Sequence, residues 1–86
     1  MSMNDVYHPI NCDDYDHLEL ACQRKLLLNI TLKTTEIVEA KARDLVSRKN
    51  VEYLVIDSTD TPREIRLDLI YSFSHPDIGT IIVSDE

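Results

Sequence analysis

Two periods divide this chain. Tyr15, Leu18 and Cys22 recur at helical spacing, and Asn11 or Asp13 offers a side-chain oxygen to cap the first turn. Acids in that turn complement the positive end of a helix dipole. The pattern predicts a helix over residues 13–23, after a loose lead-in over residues 1–12 in which Pro9 interrupts regular structure. At about 100° per residue, Asp16, Glu19 and Gln23 share one side with Tyr15 on its flank, and Leu18 and Cys22 turn toward the core. Leu20 falls on the polar side, where it fits either a loop contact or a partner.

After Arg24 the period becomes two. Leu26, Leu28, Ile30 and Leu32 alternate along Lys25–Lys33, and Thr34-Thr35 marks a turn. Val38, Ala40 and Ala42 alternate with Glu39, Lys41 and Arg43, which predicts a second strand over Glu36–Arg43 although its Ala, Glu and Lys also suit a helix. Asp44–Asn50 reads as an irregular connection. Val51–Asp57 is a strand rich in β-branched residues, Ser58–Pro62 a turn, and Arg63–Ile70 a strand with Ile65, Leu67 and Leu69 inward. Ser74–Gly79 makes a tight connection into a last strand over Thr80–Ser84. The chain reads as one mainly β domain with one N-terminal helix. Its five or so short strands, spanning residues 24–86, are expected to close or nearly close into a barrel, because closure removes exposed edges.

At 86 residues the core is thin, with roughly 60–65% of the surface buried on folding. No apolar run approaches the ~20 residues that cross a bilayer, and MSMNDVYHPI lacks the basic start and apolar stretch of a secretory signal, so the expected location is the cytoplasm. Cys12 and Cys22 on one helix stand ~15 Å apart, beyond the ~7 Å reach of a disulfide. Their spacing, with His8 and His17 nearby, matches no zinc pattern, and nothing calls for a cofactor.

Charge sharpens the picture. The net charge is −7, and the first 23 residues hold five acids (Asp5, Asp13, Asp14, Asp16 and Glu19) with no Lys or Arg. A focused negative surface selects a basic partner, whereas spread charge mainly aids solubility. Acids at a helix start are often only dipole and solubility devices, but here no base compensates them and Tyr15 lies among them, as aromatics do at binding hot spots.

Catalytic patterns are missing. One glycine cannot build a phosphate loop, and there is no G-x-S-x-G, H-E-x-x-H or C-x-x-C. Ser72, Ser74, His75 and Asp77 cluster, but neighbours in a turn are poorly placed for a nucleophile-to-base hydrogen bond, so an enzyme is not expected. Small β-barrels often bind RNA, and Arg43 with Arg48-Lys49-Asn50 is locally basic. The overall negative charge opposes a polyanion. Arg48 and Lys49 fit either a solvated loop or hydrogen bonds to a protein partner beside the acidic helix.

Tyr7-x-Pro9-Ile10-Asn11-Cys12-Asp13-Asp14-Tyr15-Asp16 followed by Leu18-Glu19-Leu20-Ala21-Cys22 resembles the opening of the Rho-binding antiterminator family (Rof, also called YaeO). The runs Asp44–Val55 and Ser72–Pro76 resemble it too. The resemblance implies a small Sm-like barrel preceded by a helix. It also implies binding to the N-terminal, primary RNA-binding domain of the termination factor Rho, a hexameric RNA-dependent ATPase, which prevents it from ending transcription. By motif position and charge, Asp13, Asp14, Asp16 and Glu19 would supply carboxylates that compete with RNA, and Tyr15 would sit at the contact centre. Arg48, Lys49 and Asn50 would add a second contact. A monomer is expected. The rival reading is an Sm-like RNA-binding protein acting as an oligomeric ring.

Overall fold

The computed structural model describes residues 7–57 and 61–84. One helix, α1 (Cys12–Arg24), precedes six strands: β1 (Leu27–Leu32), β2 (Ile37–Arg48), β3 (Val51–Ile56), β4 (Arg63–Arg66), β5 (Ile70–His75) and β6 (Gly79–Ile82). All neighbouring strands are antiparallel, in the order β4-β3-β2-β1-β5-β6.

Asn11 caps α1, its Oδ1 accepting from the Asp13 amide at 2.8 Å. The helix ends at Lys25, which takes the left-handed conformation (φ 52°). There its amide donates to Cys22 O at 3.2 Å, and the Leu26 amide donates to Ala21 O at 2.9 Å. That is the Schellman arrangement, with lysine where glycine is favoured. Leu18 and Ala21 are fully buried, and Cys22 packs against the core margin. Leu20 is half-buried. The Thr34-Thr35 turn joins β1 to β2, with Thr35 at φ 75° and its amide donating to Leu32 O at 2.8 Å.

Three expectations change. Strand β2 runs on to Arg48 instead of stopping at Arg43. Its register shifts between Ala42 and Asp44, so Arg43 is the extra residue of a bulge. Before the bulge Ala40 and Ala42 point inward, and after it Leu45 packs on the core. The parity of the alternation reverses at Arg43, which is why the pattern read as a strand end. The residues DLVSRKN are therefore the second half of β2 and its turn.

Arg63–Ile70 is not one strand. It is β4, a single 3-10 turn at Leu67–Leu69, and the start of β5. The turn moves Leu69 to the surface, 41% exposed, and the inward positions become Ile65, Leu67, Ile70 and Phe73. The buried Asp68 anchors this break, accepting from Arg66 Nη2 at 2.7 Å, Arg66 Nε at 3.0 Å and the His8 amide at 3.3 Å.

The third change is closure. The sheet has six strands and stays open, with β4 and β6 at its two ends, instead of forming a five-stranded barrel. It still curls about one core built from Leu28, Ile30, Leu54, Ile56, Ile65, Ile70 and Phe73 together with Leu18 and Ala21 of α1. The β4 end carries Arg63, Glu64 and Arg66, charges that discourage edge pairing. At the far end the Ser84 carbonyl accepts from the Asn11 amide at 2.9 Å, so the start of α1 covers the chain just beyond β6. Gly79 opens β6 at φ 75°, and an added Cβ there would meet nothing within 4 Å, so its requirement is purely conformational. Of the expected turn Ser58–Pro62, residues 58–60 lie outside the described residues, as do residues 1–6 of the lead-in.

Candidate functional site

Asp13, Asp16 and Glu19 lie exposed along α1. Among the described residues none of the three makes an ion pair. Asp14 stands apart from them. It is 9% exposed, and its Oδ2 accepts from the Ser84 amide at 3.0 Å and the Ser84 hydroxyl at 3.4 Å. Its carboxylate fastens the C-terminal segment to the helix and faces away from solvent.

Tyr15 is half-buried at the edge of the core. Burial raises the pKa of its phenol, and the nearby Glu52 and Glu19 carboxylates add to the shift. It stays a neutral hydrogen-bonding group with an apolar body. A shallow depression opens on each side of it. One, of about 350 Å³, is lined by Pro9, Ile10, Cys12, Tyr15, Asp16 and Glu52. The other, of about 240 Å³, includes Tyr15, Glu19, Cys22, Asp44 and Leu45. Each combines one helix carboxylate with one sheet carboxylate, and the second is also lined by Arg43, whose guanidinium pairs with Asp57 at 3.3 Å. Burial first, then Asp44 and Glu19, push the Cys22 thiol up to about 11.

Sequence reasoning missed Asp44 and Glu52. They reach the helix because β2 continues past the bulge and pairs with β3, setting Ser47 opposite Glu52. The missing signal was the hairpin turn. Arg48 pairs with Val51, leaving Lys49 (φ 52°) and Asn50 (φ 67°) as a two-residue loop with both φ positive, the type I′ geometry that suits the twist of antiparallel strands.

That turn also divides the predicted second contact. Lys49 and Asn50 are exposed, and Glu52, two residues further on, borders the depression beside Tyr15 and Asp16. The turn therefore lies toward the N-terminal half of α1. Arg48 is engaged within the chain: its guanidinium forks onto both oxygens of Glu64 and lies 4.7 Å over the Tyr53 ring. Tyr7 joins the margin of the face, its hydroxyl donating to Glu52 Oε1 at 3.0 Å. Desolvation by burial and the Glu52 bond both raise its pKa.

The Ser74–His75 region borders a depression of about 620 Å³, lined by residues including Asn29, Glu39, His75 and Thr80. His75 Nδ1 accepts from the Asp77 amide at 2.9 Å, which commits that nitrogen to the turn. No serine hydroxyl among the described residues bonds to it. No group of three His, Cys, Asp or Glu among them could hold a metal ion.

Comparison with known proteins places this geometry. Residues 9–83 match the family described as "Modulator of Rho-dependent transcription termination (ROF)". Protein rof of Escherichia coli (strain K12) is 65% identical over 83 residues, covering 96% of this chain and 99% of that protein. Protein rof of Shigella flexneri gives the same values, 65% over 83 residues. In fold, the solved structure of YaeO bound to magnesium from Vibrio cholerae O395 matches with a TM-score of 0.70 at 23% identity, covering 79% of this chain and 95% of that one. Such modulators are regulators and not enzymes; a role in transcription termination implies a cytoplasmic location, and their description makes Rho the implied partner. The chain belongs to the Rof family of modulators of Rho-dependent transcription termination.

Proposed function

We propose that this chain inhibits Rho-dependent termination by seating the outer face of α1 on the RNA-binding surface of the N-terminal domain of Rho, which keeps RNA from loading. A surface that holds RNA is lined with Arg and Lys, and carboxylates satisfy the same groups with charge-assisted hydrogen bonds. One observation carries the reading: Asp13, Asp16 and Glu19 are exposed and without cationic partners among the described residues. Carboxylates left in this state are free to pair with the cations of a partner.

Tyr15 stands between the two depressions, so basic side chains entering at Asp16/Glu52 and at Glu19/Asp44 would straddle its ring. Lys49 and Asn50 at the hairpin tip give the second contact. Asp14 and Arg48 contribute indirectly, by holding α1 and the hairpin in place. The chain acts as a monomer on each site.

The test is a competition titration. Purified Rho is loaded with a fluorescent pyrimidine-rich RNA and the protein is added at two salt concentrations. Displacement of RNA that weakens as salt rises is the expected result, since screening shortens the reach of surface charge. A ternary complex in which Rho holds both ligands would overturn occlusion. Retention of the RNA by this protein alone would favour the RNA-binding ring.

A further inference from the structure

The two edges of the open sheet are finished differently. Strand β4 presents Arg63, Glu64 and Arg66, whereas β6 is Gly79-Thr80-Ile81-Ile82, with no charged residue. Its backbone polarity follows from the register. The Val83 amide donates to Tyr71 O at 2.9 Å, and Phe73 lies opposite Ile81 and His75 opposite Gly79. In an antiparallel ladder alternate residues bond inward and those between them face out. Odd-numbered residues of β6 therefore bond to β5, and Thr80 and Ile82 turn their N–H and C=O groups away from the sheet. Ser84 continues the same parity, and its outward groups are taken by Asn11 and by Asp14. Thr80 and Ile82 have no such cover among the described residues, and Ile82 is 54% exposed.

We propose that the Thr80–Ile82 edge is a strand-addition site for an extended, basic segment of the same partner protein. The inference rests on the proposed function for the identity of that partner. Strand addition draws its affinity from main-chain hydrogen bonds and its selectivity from alternate side chains. Here four outward backbone groups supply the bonds, and the exposed Thr80 and Ile82 side chains meet alternate residues of the incoming strand.

Charge decides the occupant. Asp77 lies exposed in the turn that leads into β6, and Asp13 lies exposed in the helix turn that closes its far end, so the open edge is bracketed by carboxylates. A second copy would set a net charge of −7 against another −7. Nucleic acid lacks the alternating donors and acceptors that a strand edge requires. Continuity points to the same partner: the Asn11–Ser84 and Asp14–Ser84 bonds join this edge directly to the first turn of α1.

Ile82→Pro tests the edge, because it deletes an outward N–H and no ladder bond, and proline suits an edge strand. Ile82→Lys keeps the N–H and places a like charge before a basic segment. Purified Rho is the probe, read by equilibrium binding and by hydrogen exchange of the Thr80 and Ile82 amides. The expected result is at least tenfold weaker binding for both variants, with unchanged circular dichroism, and slowed exchange of the two amides in the wild-type complex. If Ile82→Pro perturbs the fold, the exchange measurement on the wild type decides alone. Unchanged affinity with unprotected amides, while charge reversal on α1 still abolishes binding, would overturn the edge site and leave the proposed function standing. No binding of wild type to Rho would remove both. A wild-type dimer that Ile82→Pro turns into a monomer would assign the edge to a second copy, against the proposal.

Discussion

Acidic residues occupy two regions of this molecule under opposite conditions. Along α1, Asp13, Asp16 and Glu19 are exposed without ion-pair partners among the described residues. Toward the β4 side of the sheet, arginines hold the carboxylates. Arg63 Nη1 lies 2.8 Å from Glu36, Arg66 Nη2 2.7 Å from Asp68 and Arg43 Nη1 3.3 Å from Asp57, and Arg48 forks onto Glu64. These hydrogen bonds hold Glu36 and Glu64 below the usual carboxylate range. The difference separates what a charge does for the fold from what it leaves available to a partner. A carboxylate clamped by an arginine ties strands together and presents little net field. An unpaired one keeps its field, and its interaction is still to be made.

The sharpest way to break the comparison is to invert the helix. Asp16→Lys with Glu19→Lys should weaken Rho binding about 100-fold, equivalent to about 2.7 kcal/mol, measured by equilibrium titration. The urea midpoint should stay close to wild type. A destabilised fold would show that the helix acids serve structure after all.

Asp14→Ala asks the converse. Losing the acceptor for Ser84 should cost about 1–3 kcal/mol in urea unfolding. Rho affinity at a temperature where the variant is folded should change little, which separates Asp14 from its neighbours in sequence.

Cys22 gives a pH test beside the same face. Its thiol titrates at about 11 in the folded chain against 9.0 for an ordinary thiol. The folded state therefore keeps the proton longer than the unfolded state. This contribution is complete below the unfolded value and is lost as pH rises through the folded one. Stability should fall from about pH 9 to about pH 11, and Cys22→Ser should flatten that part of the profile in thermal melts. Tyr7, also raised, sustains a decline at higher pH.

Lys25→Gly should raise stability by about 0.5 kcal/mol, since relief of left-handed strain at φ 52° exceeds the added freedom of the unfolded chain. The smallest effect is expected on the clamped side. Glu36→Gln and Glu64→Gln should leave Rho binding unchanged and shift the melting midpoint barely beyond error, because exposed ion pairs contribute little. A large loss of binding from either would erase the distinction between the two regions.

Much of α1 was legible from neighbours in sequence. Its buried Leu18 and its exposed Asp16 and Glu19 follow from spacing, and capping chemistry narrowed its start to Asn11 or Asp13, of which the structure uses Asn11. The Thr34-Thr35 turn and the strand at Val51–Ile56 were equally local. The charge asymmetry, too, needs only the order of residues. Non-local register decided the rest. A single extra residue at Arg43 reverses which side of β2 faces inward, and only pairing with β3 reveals it. Asp68 in the 3-10 turn at Leu67–Leu69 accepts from the nearby Arg66 and also from the His8 amide, 60 residues away across the fold. Asp14 looks like its acidic neighbours until Ser84, 70 residues away, claims its carboxylate. Asp44 and Glu52 join the helix acids only through the β2–β3 hairpin. Periodicity encodes which face of an element is apolar. Which polar group is buried, paired or left to a partner is settled by what the folded chain brings against it.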